Sequence, residues 1–404
     1  MITVIGVGSG KADNLSLAAW NEIKKTKKLI LKTEKMPLSH FLKENGIDYE
    51  TLDFIFDSSA DFDELNKKIS EYLSSFESCV YAVAGSGTDD TSVECLSDRI
   101  LLPGPSLCDT AAAFMGCSGS RSDIRAEEVL AGAFVSCRKN TLVYCIDSKY
   151  IACDLKCILG EIYGDEHTVK FYIEDFDGTQ SQKEISLYEL DSFDFYNHTA
   201  SVYLPAESLE NAYKHNIDDV LEITKILYSP DGCPWDSEQT HESLKRFLIE
   251  EAYEVADAID SRDPYALFDE LGDVLYQITL HSEIASASGE FNFSDVCDAI
   301  TNKMIRRHPA LFGKDDIPWD EIKKQEKSDV PVICKGLPAL LYAEKLLYKA
   351  EKAGIKELPV FKNNDEIGEI LRLTDSCRKK GISPEEALHT CCERILSLIK
   401  DKID

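Results

Sequence analysis

The pattern of apolar and polar positions changes character once along the chain, near residues 205–215. Before that point, short β-branched runs at 2–7, 28–31, 80–84, 99–102, 142–146 and 169–173 read as strands, and helical patterns separate several of them. Two later runs, 184–190 and 201–204, follow one another more directly. Residues 1–208 are therefore expected to form an α/β domain whose sheet is partly parallel. Beyond a polar linker at 209–216 the period is helical almost throughout. Helices are expected over 218–228, 240–260, 264–286 and 294–307, with Ser294 as the N-cap of the last and Pro309 ending it. Turn residues crowd the stretches 229–236 and 289–293, which read as loops.

Two of these helices break their own pattern. Leu244, Leu248, Val255 and Ala258 keep a four-then-three rhythm, and Glu251 fills a slot where an apolar residue belongs. In the next helix Leu267, Val274 and Ile278 set the rhythm, and Glu270 takes such a slot. Glu251 with Glu254, and Glu270 with Asp273, stand three residues apart, so each pair shares one helix face. Asp263 and Pro264 mark the break between the helices as N-cap and first helical residue. So short a turn sets the helices antiparallel, with the two acidic pairs facing each other. A carboxylate inside an apolar stripe is costly to ionise without positive charge beside it, and no Lys or Arg lies at helical spacing on the inner side. A hard divalent cation is the simplest remedy, because Mg²⁺ takes carboxylate oxygens and keeps waters for a phosphate.

The helix over 294–307 carries Lys303, Arg306 and Arg307 on one face. Such a face either clamps phosphate oxygens or complements the helix dipole. Lys245 and Arg246 read as a solvated face.

Length and charge narrow the classes. At 404 residues, 44% of them hydrophobic, the chain has room for two or three cored domains. A net charge of −29 argues against sequence-independent nucleic-acid binding and against an anionic membrane surface. Met1 leads directly into a strand, so no signal peptide is expected, and no apolar run approaches the roughly 20 residues of a membrane span. Fourteen cysteines without a Cys-x-x-Cys pair read as reduced thiols of a cytoplasmic protein.

Four blocks in order then carry a family resemblance: Pro230-Asp-Gly-Cys-Pro-Trp-Asp-Ser-Glu-Gln-Thr-His, Leu-Ile-Glu250-Glu-Ala-Tyr-Glu, Asp269-Glu-Leu-Gly-Asp, and Lys303-Met-Ile-Arg-Arg-His-Pro. Over residues 217–330 the chain resembles the MazG-type nucleoside triphosphate pyrophosphohydrolases. The resemblance implies an all-α, usually dimeric bundle that uses Mg²⁺ (or Mn²⁺) to split NTPs or dNTPs into the monophosphate and pyrophosphate. It makes Glu251, Glu254, Glu270 and Asp273 metal ligands and Glu250 the neighbouring carboxylate that orients or deprotonates the attacking water. It also puts Lys303, Arg306, Arg307, Trp319 and Lys323 on the nucleotide, and the loop bearing Trp235 closing over it. Residues 331–404 look like a shortened second copy: Glu366-Ile-Gly-Glu369 echoes Glu270-Leu-Gly-Asp273, but no Glu-Glu-x-x-Glu precedes it. That copy is expected to be structural.

In the first half, Gly6-Val-Gly8-Ser-Gly10, the strand and loop at 80–87, and Pro103-Gly-Pro-Ser106 before an Ala-rich helix resemble the tetrapyrrole methylase family, two-lobed α/β enzymes that use S-adenosylmethionine. By that resemblance Gly6, Gly8, Gly10, Gly85 and Ser106 are candidate contacts for S-adenosylmethionine. Two departures stand out: Gly85-Ser-Gly-Thr88 replaces the usual Gly-Asp-Pro, and Lys11-Ala12 replaces a common Asp-Pro. Active methylation and a retained binding or dimerisation module both remain open. For the acidic helices two further readings stand beside the hydrolase. One is a di-iron bundle using Glu238/His241 and Glu386/His389, and the other is a scaffold with a solvated acidic face.

Overall fold

The computed structural model describes residues 1–56, 58–59, 62–313, 336–355 and 366–403. Two compact units divide the chain, Met1–Ile284 and Ala285–Asp404.

In the first unit, β1 (Ile2–Gly6), β2 (Leu29–Leu31), β3 (Glu50–Thr51), β4 (Cys79–Val83) and β5 (Arg99–Leu102) form a parallel sheet ordered β3-β2-β4-β1-β5. Alternate residues feed different cores: Ile30, Cys79 and Tyr81 pack on one face, and Leu29, Leu31, Val80 and Ala82 on the other. A sheet covered on both faces needs this continuous apolar composition. The second sheet, ordered β6-β7-β10-β8-β9, comprises β6 (Ser122–Arg125), β7 (Thr141–Tyr144), β8 (Thr168–Glu174), β9 (Gln180–Ser186) and β10 (Ser201–Leu204). Only β6 and β7 pair in parallel in it; the other pairs are antiparallel.

Two strand expectations shift, and two strands, β3 and β6, arise where none was expected. The run at 184–190 ends as a strand at Ser186 and continues as the 3₁₀ turn Leu187–Glu189. The run at 142–146 stops at Tyr144, because Cys145 adopts φ 62° and leaves the extended region. β6 has no expected counterpart, since an edge strand with Ile124 as its one apolar residue carries almost no periodic signal.

The stretch expected to be a linker is held against the second sheet's domain. The Glu207 amide donates to Cys137 O at 2.8 Å, Cys137 Sγ to Lys214 O at 3.0 Å, and Asn216 Nδ2 to Ser136 Oγ at 3.1 Å. Arg138 spans the junction, donating to Glu207 O at 2.7 Å and to Asp219 and Glu222 at 2.9 and 2.8 Å on the helix Ile217–Tyr228.

The next two helices, His241–Ser261 and Pro264–Ala287, form a hairpin. Arg262, at φ 58°, ends the first in the left-handed conformation. Asp263 Oδ1 accepts from the Tyr265 amide at 2.9 Å and so starts the second, as its sequence position predicts. Leu244 on one helix packs with Leu280 and Ile284 on the other. Ile278, expected in that stripe, is 38% exposed; the buried side of the helix runs through Gln277, Leu280 and Ile284 instead.

The second unit holds the helices Phe293–Arg307, Ala339–Lys352, Glu366–Lys379 and Pro384–Ile403. Asn292, not Ser294, caps the first of these: its Oδ1 accepts from the Ser294 amide at 2.8 Å. Arg378 joins the next two, reaching Glu351 at 2.6 Å and Asp375 at 2.7 Å. Among the described residues no helix is long and apolar enough to cross a membrane.

Candidate active site

The hairpin delivers the acidic residues to one place. Oxygens of Glu251, Glu270 and Asp273 all lie within 4.8 Å of one another. Glu254 joins the cluster through a hydrogen bond to Glu251. Glu250, the residue before Glu251, is exposed. Partial burial, the hydrogen bond to Glu254 and the charges of Asp273, Glu254 and Glu270 raise the Glu251 carboxyl above its ordinary range. Glu270 is raised as well, by partial burial and then by Glu254, Asp273 and Asp269. Every charged neighbour named here is acidic, and like charges this close disfavour ionising the group. The donor set is entirely carboxylate oxygen and keeps contact with solvent, which suits a hard ion with water in its shell.

Around this cluster the structure adds residues that the sequence did not single out. Tyr276, one turn beyond Asp273, donates from its hydroxyl to Asp236 Oδ1 at 2.7 Å and thereby fixes the loop that carries Trp235. Trp235 packs edge-on against Phe247, ring centroids 5.6 Å apart, and the Arg246 guanidinium lies 4.8 Å over the Phe247 ring. Arg246 is thus engaged with an aromatic ring as well as solvated. Gln277, one turn from Asp273, has a buried Oε1 without a hydrogen-bond partner among the described residues. Sequence offers no signal for these contacts, because Asp236 and Tyr276 are forty positions apart.

His241 does not join Glu238 in a metal motif. Its Nδ1 meets His281 Nδ1 at 2.7 Å, with the rings stacked, and Glu386 and His389 lie on Pro384–Ile403 in the other unit. In the second unit Lys303, Arg306 and Arg307 occupy the last turns of Phe293–Arg307. Trp319 and Lys323 lie outside the described residues. Glu369 of the echo motif is tied to Arg372 at 2.7 Å, and Glu366 is exposed.

In the first half, the expected S-adenosylmethionine contacts lie on tightly packed turns. Gly8 and Gly85 exchange backbone hydrogen bonds at 3.0 and 2.7 Å. A Cβ on Gly6 would stand 2.4 Å from the Ser86 backbone, so this glycine serves the packing of loop on loop. Gly10 is buried, and Ser106 caps its helix by accepting from the Asp109 amide at 3.0 Å. Lys11, the departure after the glycine turn, lies 3.8 Å from the buried Glu174, which accepts from Ser9 at 2.9 Å. A separate cavity of about 810 Å³ lies nearby, lined by Lys32, Asp90, Arg125, Asp147 and His198 among others. Burial and Glu127 push the Asp147 carboxyl up to about 6, and burial and Lys32 push the His198 imidazole down to about 4.

Residues 239–312 match the MazG nucleotide pyrophosphohydrolase domain. The chain is 35% identical over 215 residues to the nucleoside triphosphate pyrophosphohydrolase/pyrophosphatase MazG of Thermotoga maritima, covering 45% of this chain and 84% of that one. It is 30% identical over 371 residues to the uncharacterized protein YabN of Bacillus subtilis, covering 85% of this chain and 76% of that one. Among solved structures, uroporphyrin-III-C-methyltransferase from Thermus thermophilus aligns with 50% of this chain and 94% of its own, at a TM-score of 0.39 and 11% identity.

Proposed function

This chain belongs to the MazG family of nucleoside triphosphate pyrophosphohydrolases, and from that membership we propose that it hydrolyses NTPs or dNTPs to the monophosphate and pyrophosphate with Mg²⁺ or Mn²⁺. The observation that carries the reading is the cluster of Glu251, Glu270 and Asp273 within 4.8 Å, in which neighbouring acidic groups raise the Glu251 and Glu270 carboxyls. These three with Glu254 are the residues that would hold the cation. Bound there, the ion supplies the positive charge that neutralises polyphosphate oxygens and acidifies water. Glu250 accepts the proton of the attacking water as a phosphorus–oxygen bond breaks and pyrophosphate leaves. Lys303, Arg306, Arg307, Trp319 and Lys323 are the proposed nucleotide contacts. Positioning and charge neutralisation are what phosphoryl chemistry asks of a protein.

Incubating the full chain with a panel of NTPs and dNTPs, with product identification by ³¹P NMR, tests the reading. Monophosphate and pyrophosphate are expected in the presence of Mg²⁺. Release of diphosphate and inorganic phosphate, or a full rate in Glu251→Gln, rejects it.

The helical domain is proposed to be a homodimer, and the reading includes no methyl transfer. The cavity near Asp147 and His198 has the size of a small-molecule site. S-adenosylmethionine is the ligand the sequence resemblance implies for this domain, and a calorimetric titration decides whether it binds.

A further inference from the structure

We propose that the hydrogen bond between His241 and His281 is the tie that closes the open end of the acidic hairpin, and that a second proton on the pair releases it and weakens cation binding at Glu251, Glu270 and Asp273. Both histidines are positioning residues, and their role rests on the cation-binding part of the pyrophosphohydrolase reading.

The helices His241–Ser261 and Pro264–Ala287 are joined at one end by Arg262 and Asp263. Farther along, the facing carboxylates push them apart, since oxygens of like charge lie there within 4.8 Å of one another. At the open end His241 Nδ1 meets His281 Nδ1 at 2.7 Å, with the ring planes within 13° of parallel. Asp273, Gln277 and His281 follow at four-residue steps, so the tie and the cluster share one face of the second helix, about 12 Å apart along its axis. At that separation salt screens most of any direct charge effect, and the coupling runs through the spacing of the helices.

Two facing Nδ1 atoms bond only if one ring donates a proton and the other offers a lone pair. The pair therefore keeps one proton between its rings, and protonating the acceptor replaces the bond with two cations in contact. Burial, and then the charge of His241, lower the His281 imidazole below its ordinary 6.5, and no carboxylate contributes. The charged residues flanking the pair on its own helices are Glu242, Lys245 and Glu283, and among the described residues none of them bonds to either ring. From the elements packed on this end, the helix Ile217–Tyr228 brings Thr224, bonded to Thr279 at 3.0 Å, and the exposed Lys225. The turn Pro234–Ser237 brings Asp236, which is held by Tyr276. A histidine lowered on folding supports the fold at neutral pH, and that support is lost as pH falls from about 6.5 through the folded value.

The test uses the full chain and Mn²⁺, with binding followed by electron paramagnetic resonance from about pH 7.5 to about pH 5.5, beside melting curves taken in chelator. His281→Asn is the conservative variant, because its amide places a donor or an acceptor where Nδ1 stands and carries no charge. It is expected to bind Mn²⁺ within about twofold of wild type at the upper pH and several-fold more tightly than wild type at the lower one. His281→Ala, which leaves His241 without this partner, weakens binding by about three- to tenfold at the upper pH. In chelator the melting temperature of wild type falls more steeply over the same range than that of His281→Asn. Proton competition at the carboxylates acts on all three chains alike and cancels in these comparisons. Equal pH dependence of Mn²⁺ binding in wild type and His281→Asn overturns the inference, as does unweakened binding in His281→Ala. If none of the chains binds Mn²⁺, the cation reading fails instead, and the melting curves still decide whether the tie exists.

Discussion

At the scale of single residues, the acidic cluster is held together against its own repulsion. Glu251 and Glu270 both titrate above the ordinary value of 4.5. A carboxyl raised on folding binds protons that the unfolded chain has released, so it destabilises the fold fully above its folded pKa. That penalty vanishes as pH falls through the folded pKa to the ordinary value. Without divalent cations, Glu251→Gln should therefore melt at a higher temperature than wild type at neutral pH, with the difference shrinking toward pH 4.5. Mg²⁺ should stabilise wild type and leave the variant nearly unmoved, and hydrolysis should fall by about a hundredfold or more. Scanning calorimetry in chelator and in Mg²⁺ reads the first two, steady-state kinetics the third. Much of this was legible in sequence, since Glu251 and Glu270 interrupt apolar rhythms at the facing ends of a hairpin. The tether from Asp236 to Tyr276 was not, because a single hydrogen bond between distant positions leaves no periodic trace.

At the scale of elements, local chemistry was readable where one residue type is required and obscure where several serve. Asp263 and Pro264 announce a helix start because the N-cap needs an acceptor and Pro tolerates the first turn. Asn292 and Ser294 are equally good caps by type, and only the geometry chooses Asn292. Ile278 fits a helical stripe on paper, yet the hairpin turns Leu280 and Ile284 inward. That core is thin, so its members matter: Leu280→Ala should cost about 2–5 kcal/mol by denaturant unfolding and misalign the two acidic pairs, lowering activity with it. Arg138 is the other element-scale joint. Replacing it with Ala removes the Nε–H that Asp219 accepts and should cost about 1–3 kcal/mol. The measurable sign is a separate, earlier melting transition for the helical part, whereas a single unshifted transition would show that the junction does not need the guanidinium.

At the scale of the whole molecule, the change in periodicity near residue 210 separated an α/β half from a helical one, and both are present. What period alone could not give is how the helical half satisfies its apolar surface. Leu244, Leu280 and Ile284 are its buried cluster in the hairpin, while Tyr265, Phe268 and Leu271 stand 82%, 74% and 51% exposed at three-residue steps beside Glu270. Aromatic side chains bury about 150–250 Å² each when covered, and an exposed stripe of this kind marks an association surface. A second copy is the expected cover, because the stripe lies in the helical domain for which the MazG resemblance implies a dimer. Phe268→Glu should then convert a dimer to a monomer in sedimentation velocity, and the melting temperature should cease to rise with protein concentration. Hydrolysis should fall in parallel with dissociation, since the stripe and the acidic cluster share a helix and a splayed hairpin would spread both. A wild-type chain that sediments as a monomer with full activity would leave this stripe without the assigned role.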